Sequence, residues 1–210
     1  MKVVIFGAAG QTGRHLVSKA LEAGHEVTAF VRDPAKLGMK HERLHLAQGT
    51  STDAAAVARA VQGQDAVISA LGQVKPFQPD LMKQTATNII AAMKQHGVKR
   101  LVYLTGAGVT SPKDPPSFAA KVIVPLMKVV AGQMLADSTL GVRLVQESNL
   151  DWTIVRGPRL GNNPPRGAYI SGYIKTGFEE FSRADLADFM LQEAVRSEYV
   201  REMPIVYYAS

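Results

Sequence analysis

Short apolar runs alternate with segments of helical periodicity along most of the chain. Runs rich in Val, Ile, Leu and Ala stand between stretches in which apolar side chains return every three or four positions. Such runs are typical of buried strands, and the longer stripes are typical of amphipathic helices. The pattern predicts strands at 2–6, 27–31, 43–48, 65–71, 99–104 and 152–156, and an edge strand at 205–208. It predicts helices at 12–23, 54–61 and 80–96, and a final helix that begins near 182.

The alternation of strands with helices defines the predicted fold class. Strands separated by helices of about 10 to 17 residues form βαβ units with parallel strands. We therefore predict an α/β fold, a Rossmann-like, doubly wound, mainly parallel sheet flanked by helices, in a single domain over residues 1–210. The two halves of such a sheet meet between the first and fourth strands, where a crevice opens for ligands. Residues 156–182 are expected to form a small region on the substrate side of that crevice.

An unusually apolar stretch at 118–130 departs from this pattern. Pro125 and Gly132 predict a broken or kinked helix there, followed by a better-formed piece at 133–148. The stretch is too apolar for a solvated surface. We expect it to pack against the domain, to cover a ligand, or to contact a protein partner such as a second copy of the chain.

The first strand leads directly into a loop with the spacing Gly-x-x-Gly-x-x-Gly. Its three glycines let the backbone turn sharply into a helix. The first amides of a helix lack intrahelical acceptors and lie at the positive end of the helix dipole, so an anion binds there. Small side chains let a pyrophosphate approach the backbone. The residues expected to bind it are Gly7, Ala9, Gly10, Gln11, Thr12 and Gly13.

The end of the second strand predicts which nicotinamide coenzyme binds. In dinucleotide folds an acidic residue there binds the ribose 2′-hydroxyl of NAD(H), and an arginine accommodates the 2′-phosphate of NADP(H). Asp33 precedes Pro34, which predicts a helix-capping role for its carboxylate. Arg32, with Lys36 one turn further, is then left to meet a phosphate. We predict NADP(H) in preference to NAD(H), the alternative being that Arg32 is only a solvated charge.

Small residues end the fourth strand, and a hydroxyl ends the fifth. Ligands of open α/β sheets lie outside the carboxyl ends of the strands, so we expect Ala70, Leu71 and Gly72 to border the cofactor. Thr105 either faces the nicotinamide or is an ordinary strand-end threonine. Arg159, in the loop after the sixth strand, either attracts an anionic acceptor or pairs with a local carboxylate.

Composition limits the classes of function. No stretch reaches the ~18 uninterrupted apolar residues of a membrane span, and we expect a cytoplasmic protein without membrane contact. The net charge of +6 is compatible with nucleic-acid binding, but the basic residues are scattered without interleaved aromatics, so no nucleic acid is expected.

The absence of cysteine excludes thiol catalysis. His41 and His45 have a helical metal-ligand spacing but lie where a strand begins, and no metal is expected.

Three segments carry a family resemblance: Phe-Gly-Ala-Ala-Gly-Gln-Thr-Gly at 6–13, Val-Arg-Asp at 31–33 and Asn-Ile-Ile-Ala-Ala-Met-Lys at 88–94. With them the chain resembles the atypical short-chain dehydrogenase/reductases. Within that superfamily it is similar to the NAD(P)H-binding proteins related to biliverdin IXβ/flavin reductase and to the NmrA-like regulators. The resemblance spans nearly the whole chain. It implies a pyrophosphate site at 10–13, a 2′-phosphate near Arg32 and a nicotinamide near Thr105 and Pro158, and it adds Thr50 and Gly106 to the coenzyme site.

Departures from the family pattern fall on the residues that would carry catalysis. Catalytic members of the wider superfamily use a Tyr-x-x-x-Lys pair, in which the lysine lowers the pKa of the tyrosine so that the phenol passes a proton. This chain has no such pair, and the nearest frame, at 117–121, begins with Ser117. Gly106 replaces the serine of the flavin reductases, and Thr50 replaces an aspartate. No catalytic residue is therefore assigned.

Two functions from different classes remain open. One is an NADP(H)-dependent reductase of a planar acceptor such as a flavin or quinone, in which stacking on the nicotinamide suffices and protons come from water. The other is a redox-sensing regulator of the NmrA-like type, which binds NADP(H) without turnover. We favour the reductase. A sugar-nucleotide epimerase is disfavoured because only 54 residues follow Arg156.

Overall fold

The chain folds into ten strands and five helices within the part that the structure describes. The computed structural model describes residues 1–73, 76–116 and 118–209, with the backbone alone for 118–131. The strands are β1 (Lys2–Phe6), β2 (Glu26–Val31), β3 (Leu44–Gln48), β4 (Ala66–Ser69), β5 (Arg100–Gly106), β6 (Asp151–Gly157), β7 (Leu160–Gly161), β8 (Ile170–Gly172), β9 (Phe181–Ser182) and β10 (Ile205–Tyr207). The helices are α1 (Gln11–Glu22), α2 (Ala54–Val61), α3 (Leu81–His96), α4 (Phe118–Gln146) and α5 (Arg183–Arg196), with a 3₁₀ turn at Pro34–Lys36.

The main sheet has the strand order of a doubly wound fold. Eight strands lie side by side in the order β3-β2-β1-β4-β5-β6-β10-β8, and β7 pairs with β9 in a separate two-stranded sheet. The first six strands pair in parallel, so all of their carboxyl ends lie at one edge. The predicted Rossmann-like fold is confirmed. The order changes direction between β1 and β4, where a crevice for a ligand is expected.

Helices cover both faces of the sheet, and this explains why its central strands are apolar throughout. In β1, Val3 and Ile5 point to the face covered by α1 and α5, whereas Val4 and Phe6 point to the face covered by α2, α3 and α4. All four side chains are fully buried. Burial of each such side chain contributes about 1.5–3 kcal/mol, so the strand that carries the glycine loop is firmly held.

The apolar stretch after β5 forms one helix where two pieces were expected. Helix α4 runs over 29 residues through Pro125 and Gly132, so the predicted break is wrong, and the alternative of a kink stays a prediction. A proline costs a helix about 3 kcal/mol and a glycine about 1 kcal/mol, and packing of α4 against α3, β5 and β6 compensates for such costs. The expected partner surface at 118–130 lies outside the described side chains. None of the described helices is long and apolar enough to cross a membrane.

The last strand lies inside the sheet and not at its edge. β10 pairs in parallel with β6 on one side and antiparallel with β8 on the other. The prediction of an edge strand at 205–208 is therefore wrong. The reason is that β8, a three-residue strand from the region after β6, covers the outer side of β10. A strand this short gives no periodic pattern in the sequence.

A buried ion pair fixes the loop that follows β5. Arg156, on β6, is fully buried, and its two terminal nitrogens donate to the carboxylate of Asp114 at 2.7 and 2.5 Å. Its Nε donates to the carbonyl of Met203 at 2.8 Å, and the guanidinium lies 5.6 Å from the centre of the Tyr173 ring. One arginine thus joins β6, the β5–α4 loop (residues 107–116) and the C-terminal segment.

Replacing Asp114 with asparagine is expected to lower the free energy of unfolding by roughly 3 kcal/mol at pH 7, because it leaves the Arg156 charge buried without its carboxylate. Burial alone raises the pKa of Asp114, but hydrogen bonds from Arg156 and the Ser111 amide outweigh it and hold that pKa below its usual value. The stabilisation is therefore present above the ordinary carboxyl pKa of about 4 and is lost as the pH falls through the lower folded value.

Urea unfolding of both proteins between pH 7 and pH 3 measures this difference, which should shrink on acidification. The matched control is Glu147→Gln, which removes the carboxylate of an exposed helical pair with Arg143 and should leave the curve unchanged. A pH-independent difference for Asp114→Asn would contradict the assigned role of the carboxylate.

Candidate functional site

The glycine loop presents free backbone amides to the crevice. Gly10 is the N-cap of α1, with no side chain to cap the helix and no acidic residue in its first turn. The Gly10 amide donates to the carbonyl of Gly7 at 2.9 Å, and the Arg14 amide donates to the carbonyl of Gly10 at 3.0 Å. Between them, the amides of residues 11–13 have no backbone acceptor among the described residues. An anion bound there would satisfy these donors and the helix dipole.

Close backbone contacts explain why the loop residues are small. Gly7 has a φ of +78°, a left-handed conformation that favours glycine, and a Cβ there would lie 3.0 Å from the carbonyl of Ala70. A Cβ on Gly13 would overlap with the carbonyl oxygen of Gly7. The loop is therefore folded tightly on itself and lies directly against the end of β4. This cradle fits a pyrophosphate, which the predicted set of Gly7, Ala9, Gly10, Gln11, Thr12 and Gly13 surrounds.

Arg32 and Thr50 lie on the other side of the glycine loop, where β2 and β3 end. Phe30 pairs with Phe6 in the parallel register, so Arg32 follows β2 beside the loop, with an exposed side chain. The carboxylate of Asp33 accepts the Ala35 amide at 3.1 Å and caps the 3₁₀ turn, as predicted. The Thr50 hydroxyl lies 3.1 Å from that of Thr52. The structure thus leaves the Arg32 guanidinium facing solvent at the expected adenosine end of the crevice.

A cavity of about 320 Å³ opens at the carboxyl ends of β4, β5 and β6, beneath α4. Six predicted residues line it, namely Ala70, Leu71, Gly72, Thr105, Gly106 and Pro158. The residues that sequence reasoning missed are Gln73, Met82, Leu104, Gly108, Val109, Met134, Leu135, Ser138, Gly157 and Leu160. Most of this lining is apolar, and none of the described side chains in it is charged. The cavity therefore suits a neutral, largely apolar molecule or ring.

One polar group in this cavity lacks a hydrogen-bond partner. The Thr105 side chain is 8% exposed, and its Oγ1 has no partner among the described residues. A buried hydroxyl without a partner costs roughly 1–3 kcal/mol. The cavity wall is open beside it, since a Cβ on Gly106 would contact nothing within 4 Å. Thr105 lines the cavity but its Oγ1 is itself buried, so a nicotinamide carboxamide or a carbonyl acceptor would reach this hydroxyl after a rotation of the side chain.

The cavity lining contains no titratable side chain among the described residues. Tyr103, two residues before Thr105 on β5, is 1% exposed and does not line the cavity. Burial above all, with the negative charge of Asp137 second, raises the pKa of Tyr103. This is the opposite of the lowered pKa that a Tyr-x-x-x-Lys pair provides. Among the described residues, neither the cavity lining nor Tyr103 offers the acid that such a pair supplies.

A carboxylate on α4 holds the loop between β4 and α3 at the cavity rim. Asp137 is 5% exposed and accepts the Met82 amide at 2.9 Å and the Lys83 amide at 3.2 Å, so it caps α3 from outside. Gln73, which lines the cavity, donates to the same carboxylate at 2.6 Å. No local pattern predicts this cap, because Asp137 and the Met82 amide are 55 positions apart in the chain.

The region after β6 is anchored on α5. The carboxylate of Asp185, which is 2% exposed, accepts the amides of Arg166 at 2.9 Å and Gly167 at 3.0 Å. Arg159 lies 3.1 Å from the Glu180 carboxylate, so of its two expected roles the local pairing is the one observed. The segment is thus held in place beside the cavity, and Pro158 and Leu160 form part of the wall. No metal-binding group of three or more His, Asp or Glu side chains is found within the described ranges.

Comparisons with known proteins agree with this geometry. A family model described as NAD(P)H-binding matches residues 7–196. An uncharacterised chloroplastic protein of Arabidopsis thaliana is 29% identical over 209 residues, with 94% of this chain and 72% of that protein covered. A (4-alkanoyl-5-oxo-2,5-dihydrofuran-3-yl)methyl phosphate reductase of Streptomyces griseus is 27% identical over 154 residues, which cover 73% of this chain and 46% of that protein.

Solved structures share the fold over the whole chain. The anaerobillin reductase ChuY of Escherichia coli O157:H7 superposes with a TM-score of 0.80 at 21% sequence identity, and the match covers 100% of this chain and 98% of that protein. At this identity the likeness shows the fold alone. It places the crevice between β1 and β4 in the position where folds of this type bind dinucleotides.

Replacing Thr105 with valine is expected to leave the ligand-free protein at least as stable, because the substitution removes a buried hydroxyl that has no partner. The affinity for nicotinamide coenzyme should fall by about threefold to tenfold, the value of one neutral hydrogen bond. Thermal unfolding and coenzyme titration measure the two effects.

Ser69→Ala is the matched control for the threonine. The Ser69 hydroxyl is also buried without a partner among the described residues, but it does not line the cavity. Its removal should affect stability in the same direction and leave coenzyme affinity unchanged. Unchanged affinity in Thr105→Val would show that the Thr105 hydroxyl does not contact the coenzyme.

Proposed function

This chain belongs to the NAD(P)H-binding family, and on that premise we propose that it is an NADP(H)-dependent reductase that acts on a planar acceptor such as a flavin or a quinone. The observation that carries the proposal is the apolar cavity of about 320 Å³ at the strand ends, in which the lining residue Ala70 lies against Gly7 of the glycine loop. Two of the similar proteins described above bear the name reductase, which supports the class of reaction.

The glycine loop would hold the coenzyme by its pyrophosphate. The amides of Gln11, Thr12 and Gly13 are the donors, and Gly7 and Gly10 allow the close approach. The neighbouring end of β4, with Ala70, Leu71 and Gly72, leads from this loop to the cavity. The anion site and the apolar cavity are therefore neighbours, joined through the contact of Gly7 with Ala70.

The nature of the cavity wall supports a planar acceptor. When bound, the reduced nicotinamide supplies the hydride. The chain contributes orientation: Thr105 offers a hydroxyl, and Leu71, Met134 and Leu135 offer apolar surface for a flat ring. A lining without titratable groups favours an acceptor with a delocalised ring system, which takes up hydride without a side-chain acid and receives its proton from water.

The choice of NADP(H) over NAD(H) is part of the proposal. Arg32 is exposed beside the glycine loop, and one oxygen of the Asp33 carboxylate accepts the Ala35 amide as a cap, which favours Arg32 as the residue that reads the ribose. An arginine fork matches the oxygens of a phosphate and is charged at every physiological pH. These two observations support a 2′-phosphate at this end of the crevice.

Turnover is the first test of the reductase. Purified protein should oxidise NADPH, followed by the loss of absorbance at 340 nm, when FMN, FAD or a small quinone is supplied, because hydride transfer here needs alignment and no side-chain acid. NADPH with no acceptor is the control. Saturable NADPH binding without turnover of any acceptor would favour the redox-sensing regulator, which would then need a protein partner.

Replacing Arg32 with alanine should raise the Kd for NADPH by about tenfold to a hundredfold, since a charge-assisted hydrogen bond contributes about 1.5–3 kcal/mol. The Kd for NADH, which lacks the 2′-phosphate, should change by less than about threefold. Titration of both coenzymes measures the two constants, with the exposed Arg59→Ala on α2 as the control. Equal loss for NADPH and NADH would refute the 2′-phosphate assignment.

A further inference from the structure

Arg14 connects two loops that are far apart in the sequence. It directly follows Gly13 in the first turn of α1, and its side chain is partly buried. Its Nε donates to the carbonyl of Ala9 in the glycine loop at 3.2 Å. Its Nη1 donates to the carbonyl of Leu37 at 2.7 Å, and its Nη2 donates to the carbonyl of Lys36. One guanidinium therefore joins the glycine loop to the 3₁₀ turn after β2.

The turn held in this way carries the positive charges at the adenosine end of the crevice. Arg32 precedes the turn and Lys36 ends it. The Asp33 carboxylate caps the beginning of the turn, and Arg14 binds the carbonyls at its end. Leu37, which is 1% exposed, anchors the same turn in the core beneath. Both ends of this short segment are thus fixed relative to the pyrophosphate cradle.

The charge of Arg14 is not neutralised locally. Its hydrogen-bond acceptors are backbone carbonyls, and within the described ranges no carboxylate lies within 4.0 Å of Arg14, Arg32 or Lys36. A guanidinium fork suits several acceptors in fixed directions, whereas a lysine ammonium is a point charge on a flexible chain. The site therefore uses the geometry of arginine, in addition to its charge.

We infer that Arg14 is a positioning residue for coenzyme selection. By tying the carbonyls of Lys36 and Leu37 to that of Ala9, it sets the distance between the pyrophosphate cradle and the side chains that would meet the 2′-phosphate. This inference rests on the proposed use of NADP(H). It assigns to Arg14 no contact with the reacting atoms.

The decisive measurement is the ratio of the Kd for NADH to the Kd for NADPH. In Arg14→Ala the Kd for NADPH should rise tenfold or more, and that for NADH by less than threefold, so the ratio falls. Arg14→Lys keeps the positive charge but loses the planar guanidinium and its several donors. Its ratio of the two Kd values should therefore fall nearly as far as that of Arg14→Ala. A lysine variant with the wild-type ratio would overturn the inference, because charge without the fork would then suffice. A wild-type ratio in Arg14→Ala would also overturn it.

Arg43→Ala is the matched control. Arg43 is also partly buried and donates to a backbone carbonyl of α1, that of Leu21, but it lies at the start of β3 and does not touch the turn. Arg43→Ala removes one positive charge, as Arg14→Ala does, and should leave the ratio of the Kd for NADH to the Kd for NADPH unchanged. A fall equal to that in Arg14→Ala would assign the effect to net charge and overturn the positioning role.

Amide hydrogen exchange gives a readout that is independent of coenzyme and of folding yield. In Arg14→Lys the amides of Lys36 and Leu37, which donate within the turn, should exchange faster, while those of β1 stay protected. Unchanged exchange of the Lys36 and Leu37 amides would show that Arg14 does not hold the turn in place, and the inference would fail. If the wild-type protein binds neither coenzyme, the proposed function fails. If the wild-type protein prefers NADPH and the Arg14 variants keep that preference, this inference fails while the proposed function stands.

Discussion

The fold of this protein depends on one close backbone contact, that between the two ends of the glycine loop. Gly13 lies so near the carbonyl of Gly7 that no side chain fits between them, and Gly7 in turn lies against Ala70 at the end of β4. These contacts bring the uncapped start of α1 to the point where the strand order changes direction. The arrangement concentrates unsatisfied donors and positive potential at a single place, which is a physical requirement for binding a diphosphate.

The rest of the site is arranged by polar anchors that lie outside the cavity. Asp137 attaches the loop before α3, Asp114 attaches the loop after β5 through Arg156, and Asp185 attaches the segment after β6. Each carboxylate is largely or fully withdrawn from solvent and receives more than one hydrogen bond. These anchors lie outside the cavity, whose described lining is mostly apolar and contains no titratable side chain. Such a wall is suited to hold two flat rings together, and the chain's contribution to a reaction there is alignment and exclusion of water.

Different parts of the site were predictable to different degrees. The residues predicted to face the cofactor, at the carboxyl ends of β1, β2, β4 and β5, follow from local patterns, and the structure places them at one sheet edge. The capping role of Asp33 was readable from the proline that follows it. The α4 side chains Met134, Leu135 and Ser138, which cover the cavity, were missed because an apolar helical stripe looks the same whether it faces a core or a ligand. The roles of Arg14, Asp137 and Arg156 were missed because their partners Lys36, Met82 and Asp114 lie 22, 55 and 42 positions away.

The sequence by itself determined the Rossmann-like fold, the glycine loop with its anion-binding amides, and the basic residue after β2, since all of these are written in short-range spacing and periodicity. Only the tertiary structure decided that α4 is one helix, that β10 lies inside the sheet, that Arg159 is neutralised by Glu180, and that Arg14 ties two loops together. The physical reason is that hydrophobic pattern is a property of neighbouring positions, whereas strand pairing, helix continuity and the satisfaction of buried charges depend on which distant segments meet.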